Sequence, residues 1–326
     1  MTTVTVALGG NALARRGEPI TAAVQQQNIE RAVAALLPLL RSSWRTVLTH
    51  GNGPQVGLLL LETEADTAAG PYPLDILGAE SEGMVGYLLE QELRRQLPHR
   101  PIATLLTQTA VDPDDPSLTT PRKPVGPLYD ELTAHRLKAE RGFDIAPDTG
   151  GWRRVVPSPR PVAILQEASI GLLVAAGVTV IASGGGGVPV VLDEDGRPRG
   201  IQGVVDKDLA AVVLARAVGA DMLLLLTDVD RVYTGFGTPD ARAVEQLDAD
   251  QARALLDSGE LGAGSMSPKV QAAAEFAESG GTTIIASLEH ASEAIAGRSG
   301  TRIMPNSSQS LPSGARATDD QTRVQS

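Results

Sequence analysis

Two kinds of residue in this chain could do chemistry: glycines clustered where apolar segments end, and a very small set of lysines. Of 28 basic residues only four are lysines, Lys123, Lys138, Lys207 and Lys269, so arginine serves wherever a generic positive charge suffices. Lysine is a compact point charge on a flexible stem, suited to a single phosphoryl oxygen. Lys123, Lys207 and Lys269 stand in Gly- or Pro-marked loop sequences, while Lys138 reads as solvated helix surface. The glycines are Gly9-Gly10-Asn11, Gly51-Asn52-Gly53 after His50, and Gly184 to Gly187 after Ser183. At the carboxyl end of a parallel strand and before a helix, peptide N–H groups form an anion site. A lone Gly-Gly is better explained as an ordinary turn, so the functional reading rests on recurrence. Peptide N–H donors and ammonium groups are the parts needed for phosphoryl transfer, where charge on the moving group must be stabilised and little covalent work is required. Asp208, beside Lys207 at a helix start, could cap the helix, orient the lysine, or both.

Composition narrows the classes. At 326 residues the chain holds one large or two medium domains, and aromatics at 3% leave the core to aliphatic side chains. A net charge of −11 argues against a nucleic-acid backbone as partner, and anionic ligands would need local, pre-aimed donors. The absence of cysteine removes disulfides, thiolate metal sites and a Cys nucleophile. His50, His99, His135 and His290 show no metal-ligand spacing. Neither G-x-x-x-x-G-K-[ST] nor G-x-S-x-G occurs, and no G-x-G-x-x-G stands in a dinucleotide context. With no basic-then-apolar leader and no apolar run near ~20 residues, a cytoplasmic location is expected.

The elements that would position these residues alternate. Residues 3–8 read as a strand buried on both faces. A helix is expected over 24–41, kinked or cut short at Pro38. Residues 45–49 form the next strand, 74–97 a helix and 101–107 a third strand. From 111 to about 161 prolines recur, and a helix near 130–140 is the only periodic piece; so long an excursion is a functional lid, an inserted subdomain or an exposed ornament. A helix over 164–176, a strand over 178–182 and a hairpin of 188–192 with 199–204 follow. Then come a helix from 209 to 218, a buried strand from 222 to 226, a helix from 270 to 279 capped by Ser265 or Ser267, and a last strand from 282 to 286. Beyond Pro305 there is little to bury and disorder is expected. The order predicts an α/β fold: an open, mainly parallel sheet with helices on both faces, and a ligand cleft at the carboxyl ends of its strands.

TVTVALGGNAL, LTHGNGPQVG, LTQTAVDP, TPRKPVGP, GWRRVVPSP, SGGGGVPVV, VVDKDLA and GSMSPKVQAA stand in this order from residue 3 onward. The set resembles carbamate kinase of the amino-acid kinase superfamily, over residues 3 to about 304. The resemblance implies an αβα sandwich with a protruding lid subdomain at about 112–161. It implies an acceptor-side N-lobe over 1–176 and a nucleotide-side C-lobe over 177–304, leaving 305–326 as a tail. It implies ATP + carbamate ⇌ ADP + carbamoyl phosphate, with Mg²⁺ carried on ATP or ADP, and a homodimer. By motif match, Gly9, Gly10, Asn11, Gly51, Asn52 and Gly53 would hold carbamate and the transferring phosphoryl. Lys207 and Lys269 would hold nucleotide phosphates and the transition state, with Asp208 as organiser and Lys123 reaching in from the subdomain. Gly184, Gly185, Thr227, Asp228, Tyr233 and Met266 would surround the nucleotide. Ser183 stands where the family pattern has Cys, and Asp228-Val229-Asp230-Arg231 departs from it. Sibling acetylglutamate and uridylate kinases carry a lysine two residues before the first Gly-Gly pair; here that residue is Ala7, and Lys123 is the candidate replacement. Another acyl-phosphate-forming kinase, or a nucleotide or carbamoyl-phosphate sensor without turnover, are the alternatives.

Overall fold

The computed structural model describes residues 1–13, 18–65, 72–261 and 266–306. At its centre lies the strand Thr3–Leu8, all six residues buried, as suits a β-branched, uncharged segment inside a parallel sheet. The eight-stranded sheet runs in the order Gln246–Asp248, Thr301–Met304, Thr282–Ser287, Met222–Thr227, Thr3–Leu8, Arg45–His50, Thr179–Ile181, Ile102–Thr104. Only the pairing of Thr282–Ser287 with Thr301–Met304 is antiparallel.

Strand alternation sends neighbouring side chains to opposite faces. Val4, Val6 and Leu8 join the helices Ala22–Leu40 and Leu74–Gln96 in one aliphatic core. Ala7, Leu223 and Leu225 join Lys207–Ala217 and Met266–Glu278 in another. This is the expected open, mainly parallel sheet with helices on both faces. Register sets up the site: Leu8 pairs with His50 on one side and with Leu226 on the other. The segments starting at Gly9, Gly51 and Thr227 therefore leave the sheet at nearly one level. The chain steps outward from Thr3–Leu8 in both directions, which makes this edge a topological switch point.

Several expectations are corrected. The helix Ala22–Leu40 runs through Pro38. Pro38 and Ala34 both face solvent, so water can take the carbonyl that a residue-38 N–H would have bonded. The strand expected over 101–107 is shorter, Ile102–Thr104 in the main sheet, and a further, unexpected strand, Gln108–Val111, follows it beside Val188–Leu192 in a four-stranded sheet. That sheet also contains the expected hairpin, as Val188–Leu192 with Pro198–Gly200. Thr301–Met304 follows the strand expected to be last.

The 112–161 excursion holds, besides the helix Glu131–Arg141, an antiparallel sheet in the order Lys123–Tyr129, Gly151–Val156, Ile145–Asp148. Pro124, Pro127 and Pro147 fall on its two edge strands, where a missing N–H costs no ladder bond. Proline thus hid the strands from a reading by pattern. Among the described residues no helix is long and apolar enough to cross a membrane. Ser265 and the tail from 307 onward lie outside the described residues.

Candidate active site

A cavity of ≈ 620 Å³ opens at the carboxyl edge of the central strands. Gly10, Gly51, Asn52 and Gly53 line it from the first two glycine junctions, and Gly185 from the third. Lys123 and Arg153 reach it from the excursion, while Lys207, Asp208 and Lys269 come from two helix starts on the other side. A second cavity of ≈ 570 Å³, lined by Trp44, Arg45 and Arg100 among others, contains none of these residues and lies at the amino ends of the strands.

Asp208 organises the floor. Its Oδ1 accepts from Lys207 Nζ at 2.6 Å and its Oδ2 from Lys269 Nζ at 3.0 Å, tying together helices whose lysines are 62 positions apart by residue number. Side-chain exposures are 14% for Lys207, 5% for Asp208 and 7% for Lys269, so the three charges sit largely out of water. Burial works to raise the Asp208 carboxyl, but the two ammonium groups outweigh it and hold it at about 2. Burial pushes the Lys207 ammonium down from its ordinary value, with Lys269 assisting and Asp208 opposing. The result is a pair of cations, pinned in direction, at a water-poor surface.

The glycine junctions work differently from the sequence expectation. The Gly9 N–H donates to Leu226 O at 2.9 Å and the Gly51 N–H to Leu8 O at 3.0 Å. Those two amides continue the sheet and are not available to an anion. A Cβ on Gly51 would lie 2.8 Å from Gly10 Cα, and one on Gly9 would lie 2.8 Å from Leu226 O. Both positions need glycine so that neighbouring backbones can touch. Gly10 and Gly53 each open a helix, where N–H groups have no intrahelical acceptor. The side chain of Asn11 lies outside what the structure describes. Asn52 donates to Ser81 Oγ at 2.8 Å, and its amide packs where a Cβ on Gly185 would sit. Gly185 also has φ +67, which glycine adopts without penalty.

Behind the floor is a polar cluster that the sequence did not single out. Glu82, on the Leu74–Gln96 helix, accepts from Thr107 Oγ1 at 2.6 Å, Thr107 N at 3.2 Å and Gly184 N at 2.9 Å. Burial raises its carboxyl to about 7, against those three donors. His50 is fully buried against Gly184. Burial lowers it to about 4, assisted by the charge of Lys207 and opposed by the hydrogen bond to Gly51. The Gly184 turn is thus held from behind by a helix far away in sequence.

The residues matched to a nucleotide are less concentrated. Of the residues matched to the nucleotide, Lys207, Lys269 and Gly185 line the cavity, while Gly184, Thr227, Asp228, Tyr233 and Met266 are not among its lining. Thr227 ends the Met222–Thr227 strand and donates to Asp228 Oδ1 at 3.0 Å. Tyr233 donates to Asp230 Oδ1 at 3.1 Å, and Met266 opens the helix that carries Lys269. Asp206 and Arg153, unassigned from sequence, both line the cavity. Asp206 could have been recognised as an N-cap before an apolar helix, but nothing local announces Arg153.

The amino acid kinase family model matches residues 2–287. A carbamate kinase of Halobacterium salinarum is 49% identical over 94% of this chain and 99% of its own length. One from Escherichia coli strain K12 is 46% identical over 93% of this chain and 99% of its own. The solved carbamate kinase from Giardia lamblia bound to AMP-PNP superposes with a TM-score of 0.87 at 39% identity, covering 94% of this chain and 99% of that one. A likeness of this extent, in sequence and in fold, places the chain in the amino acid kinase family, among its carbamate kinases.

Proposed function

We propose that the chain transfers a phosphoryl group reversibly between ATP and carbamate, giving ADP and carbamoyl phosphate, in the cavity above Lys207, Asp208 and Lys269. The observation that carries this reading to particular residues is the bridging of two largely buried lysines by Asp208 at the mouth of three glycine junctions. In phosphoryl transfer, charge spreads over the equatorial oxygens of the moving group, and fixed cations in a water-poor site stabilise it without reorganising. Lys207 and Lys269 take that role and hold nucleotide phosphates, and Asp208 aims both. Its low pKa keeps it ionised throughout the physiological range.

Carbamate and the transferring group lie against the junctions framed by Gly9, Gly10, Asn11, Gly51, Asn52 and Gly53. The N–H donors there come from the helix starts at Gly10 and Gly53, with Gly9 and Gly51 shaping the turns. Lys123 serves the acceptor side from the 112–161 excursion, in place of the cation that Ala7 does not provide. Gly184, Gly185, Thr227, Asp228, Tyr233 and Met266 border the nucleotide. On this reading residues 1–176 serve the acceptor and 177–304 the nucleotide.

Mg²⁺ would be carried by the phosphates of the nucleotide. Among the described residues no group of three or more His, Asp or Glu could hold it, and both Asp208 oxygens already face ammonium groups. The bound ion would add charge neutralisation at the phosphates. A homodimer in the cytoplasm completes the proposal. Tyr87, on the Leu74–Gln96 helix, and Leu106, which lies beside Gly83 of that helix, are exposed apolar side chains where a second copy could pack, and light scattering on the purified chain tests this.

The decisive experiment is ATP formation from ADP, Mg²⁺ and carbamoyl phosphate in a coupled assay. Turnover is expected; folded protein that binds nucleotide tightly without turnover would make this chain a sensor instead.

A further inference from the structure

Lys123 heads an edge strand of the excursion, and its Nζ donates to Asp206 Oδ2 at 2.9 Å. The other oxygen of Asp206 is engaged elsewhere: Oδ1 accepts from the backbone N–H of Asp208 at 3.0 Å and of Leu209 at 3.4 Å. Asp206 is thus the N-cap of the helix that begins with Lys207. One carboxylate joins the excursion to the first turn of the catalytic helix. The Asp-Lys-Asp triplet at 206–208 accounts for all three cavity lysines, Asp206 holding Lys123 and Asp208 holding Lys207 and Lys269.

The pair is too exposed to be a stability device. Lys123 is 41% and Asp206 17% exposed at the side chain, and such ion pairs contribute about 0–1 kcal/mol. An ammonium has three donors, and one directed at Asp206 leaves two for an oxyanion in the cavity. A single weak bond would fix the direction of Lys123 without locking the excursion in place.

We propose that Asp206 is a positioning residue: it aims Lys123 into the cavity and sets its distance from Lys207 by anchoring both to one helix start. The inference rests on the proposed function for what Lys123 meets. Its physical content is that closure of the excursion and alignment of the catalytic lysines share one side chain.

Asp206→Asn separates the two tasks. Asn caps helices as well as Asp does, so Oδ1 can keep its N–H partners and the melting temperature should hold. The amide nitrogen replacing Oδ2 then faces the ammonium with another donor and releases Lys123. With four lysines in the chain, acylation by N-hydroxysuccinimidyl acetate can be followed site by site in the full-length protein. Lys123 should label several-fold faster in Asp206→Asn, while exposed Lys138 keeps its rate. In ATP formation, kcat should fall by about 10- to 100-fold, the scale of a small misplacement of a reacting group, with the ADP KM near wild type. In a Lys123→Ala background, Asp206→Asn should have no further effect.

Unchanged Lys123 labelling would overturn the proposal, because the pair would not be held in solution. An equal kcat loss in the Lys123→Ala background would also overturn it, since Asp206 would then act through the helix alone. A rise in kcat would show that Asp206 competes with substrate for Lys123. If labelling responds as expected but the wild-type chain makes no ATP, the pair stands and the proposed function falls.

Discussion

The two sides of the cavity use the same chemistry, a lysine ammonium on an aspartate, in opposite physical settings. The Lys207–Asp208–Lys269 floor is buried, and both carboxylate oxygens are committed. The Lys123–Asp206 contact on the excursion side is half open to water. Burial strengthens attraction and makes separation costly; exposure weakens both. On the proposed function, the floor would be a fixed frame that meets growing charge without rearrangement, and the opposite side a contact weak enough to be made and broken in each turnover. Burial, more than residue type, separates Lys207 and Lys269 from Lys123.

The strongest way to break this comparison is to remove the floor's anion. Asp208→Ala leaves two ammonium groups buried and facing each other, and losing one partner of such an assembly costs about 3–5 kcal/mol. Denaturant unfolding should register a loss of that size, together with loss of turnover. A change below about 1 kcal/mol, the surface-pair scale, would mean that water screens the floor and that the two sides are alike.

Lys207→Ala is expected to act on turnover rather than folding, because Asp208 retains Lys269. The loss of one pre-aimed donor costs ~10²–10³ in kcat. Steady-state kinetics within a few-fold of wild type would reduce Lys207 to a structural charge.

On the open side, Lys123→Ala should lower kcat far more than it weakens nucleotide binding, with a stability change inside about 1 kcal/mol. Proteolytic nicking of the 112–161 excursion should slow when nucleotide and carbamoyl phosphate are present together. An effect confined to the nucleotide Kd, or nicking indifferent to ligands, would show that this side does not close on the acceptor.

The smallest effect sharpens the buried side and concerns pH. Glu82, raised to about 7 from 4.5 by burial, binds its proton in the folded state first, so its contribution to stability grows as pH falls from about 7 to 4.5. His50, lowered to about 4 from 6.5 by burial, does the reverse: the unfolded chain protonates first and stability is lost from 6.5 down to about 4. The two contributions oppose each other in nearly the same window. Glu82→Gln should uncover a melting temperature that falls with acid over that range. A slope identical to wild type would mean that burial does not raise the Glu82 carboxyl in the folded chain. The contribution of Asp208 is lost only below these windows, as pH falls from 3.8 through about 2.

The sequence by itself determined the sheet and the parts list. Uncharged β-branched segments ending in glycine, spaced by amphipathic helices, left little choice but an open parallel sheet with its ligand edge at the glycines. Lysine scarcity singled out Lys123, Lys207 and Lys269, and the ordered motifs identified the family. The tertiary structure decided what these parts do for one another. It committed the Gly9 and Gly51 amides to Leu226 and Leu8, a matter of strand order that no local pattern carries. It paired Lys123 with a carboxylate 83 positions away and placed Glu82 behind Gly184, 102 positions on. It also built a sheet from edge strands in which proline had erased the alternating pattern. Periodicity and capping are local and can be read from a few neighbouring residues. Charge pairing and backbone contact depend on which elements the packed core brings together, and that is set only when the whole chain folds.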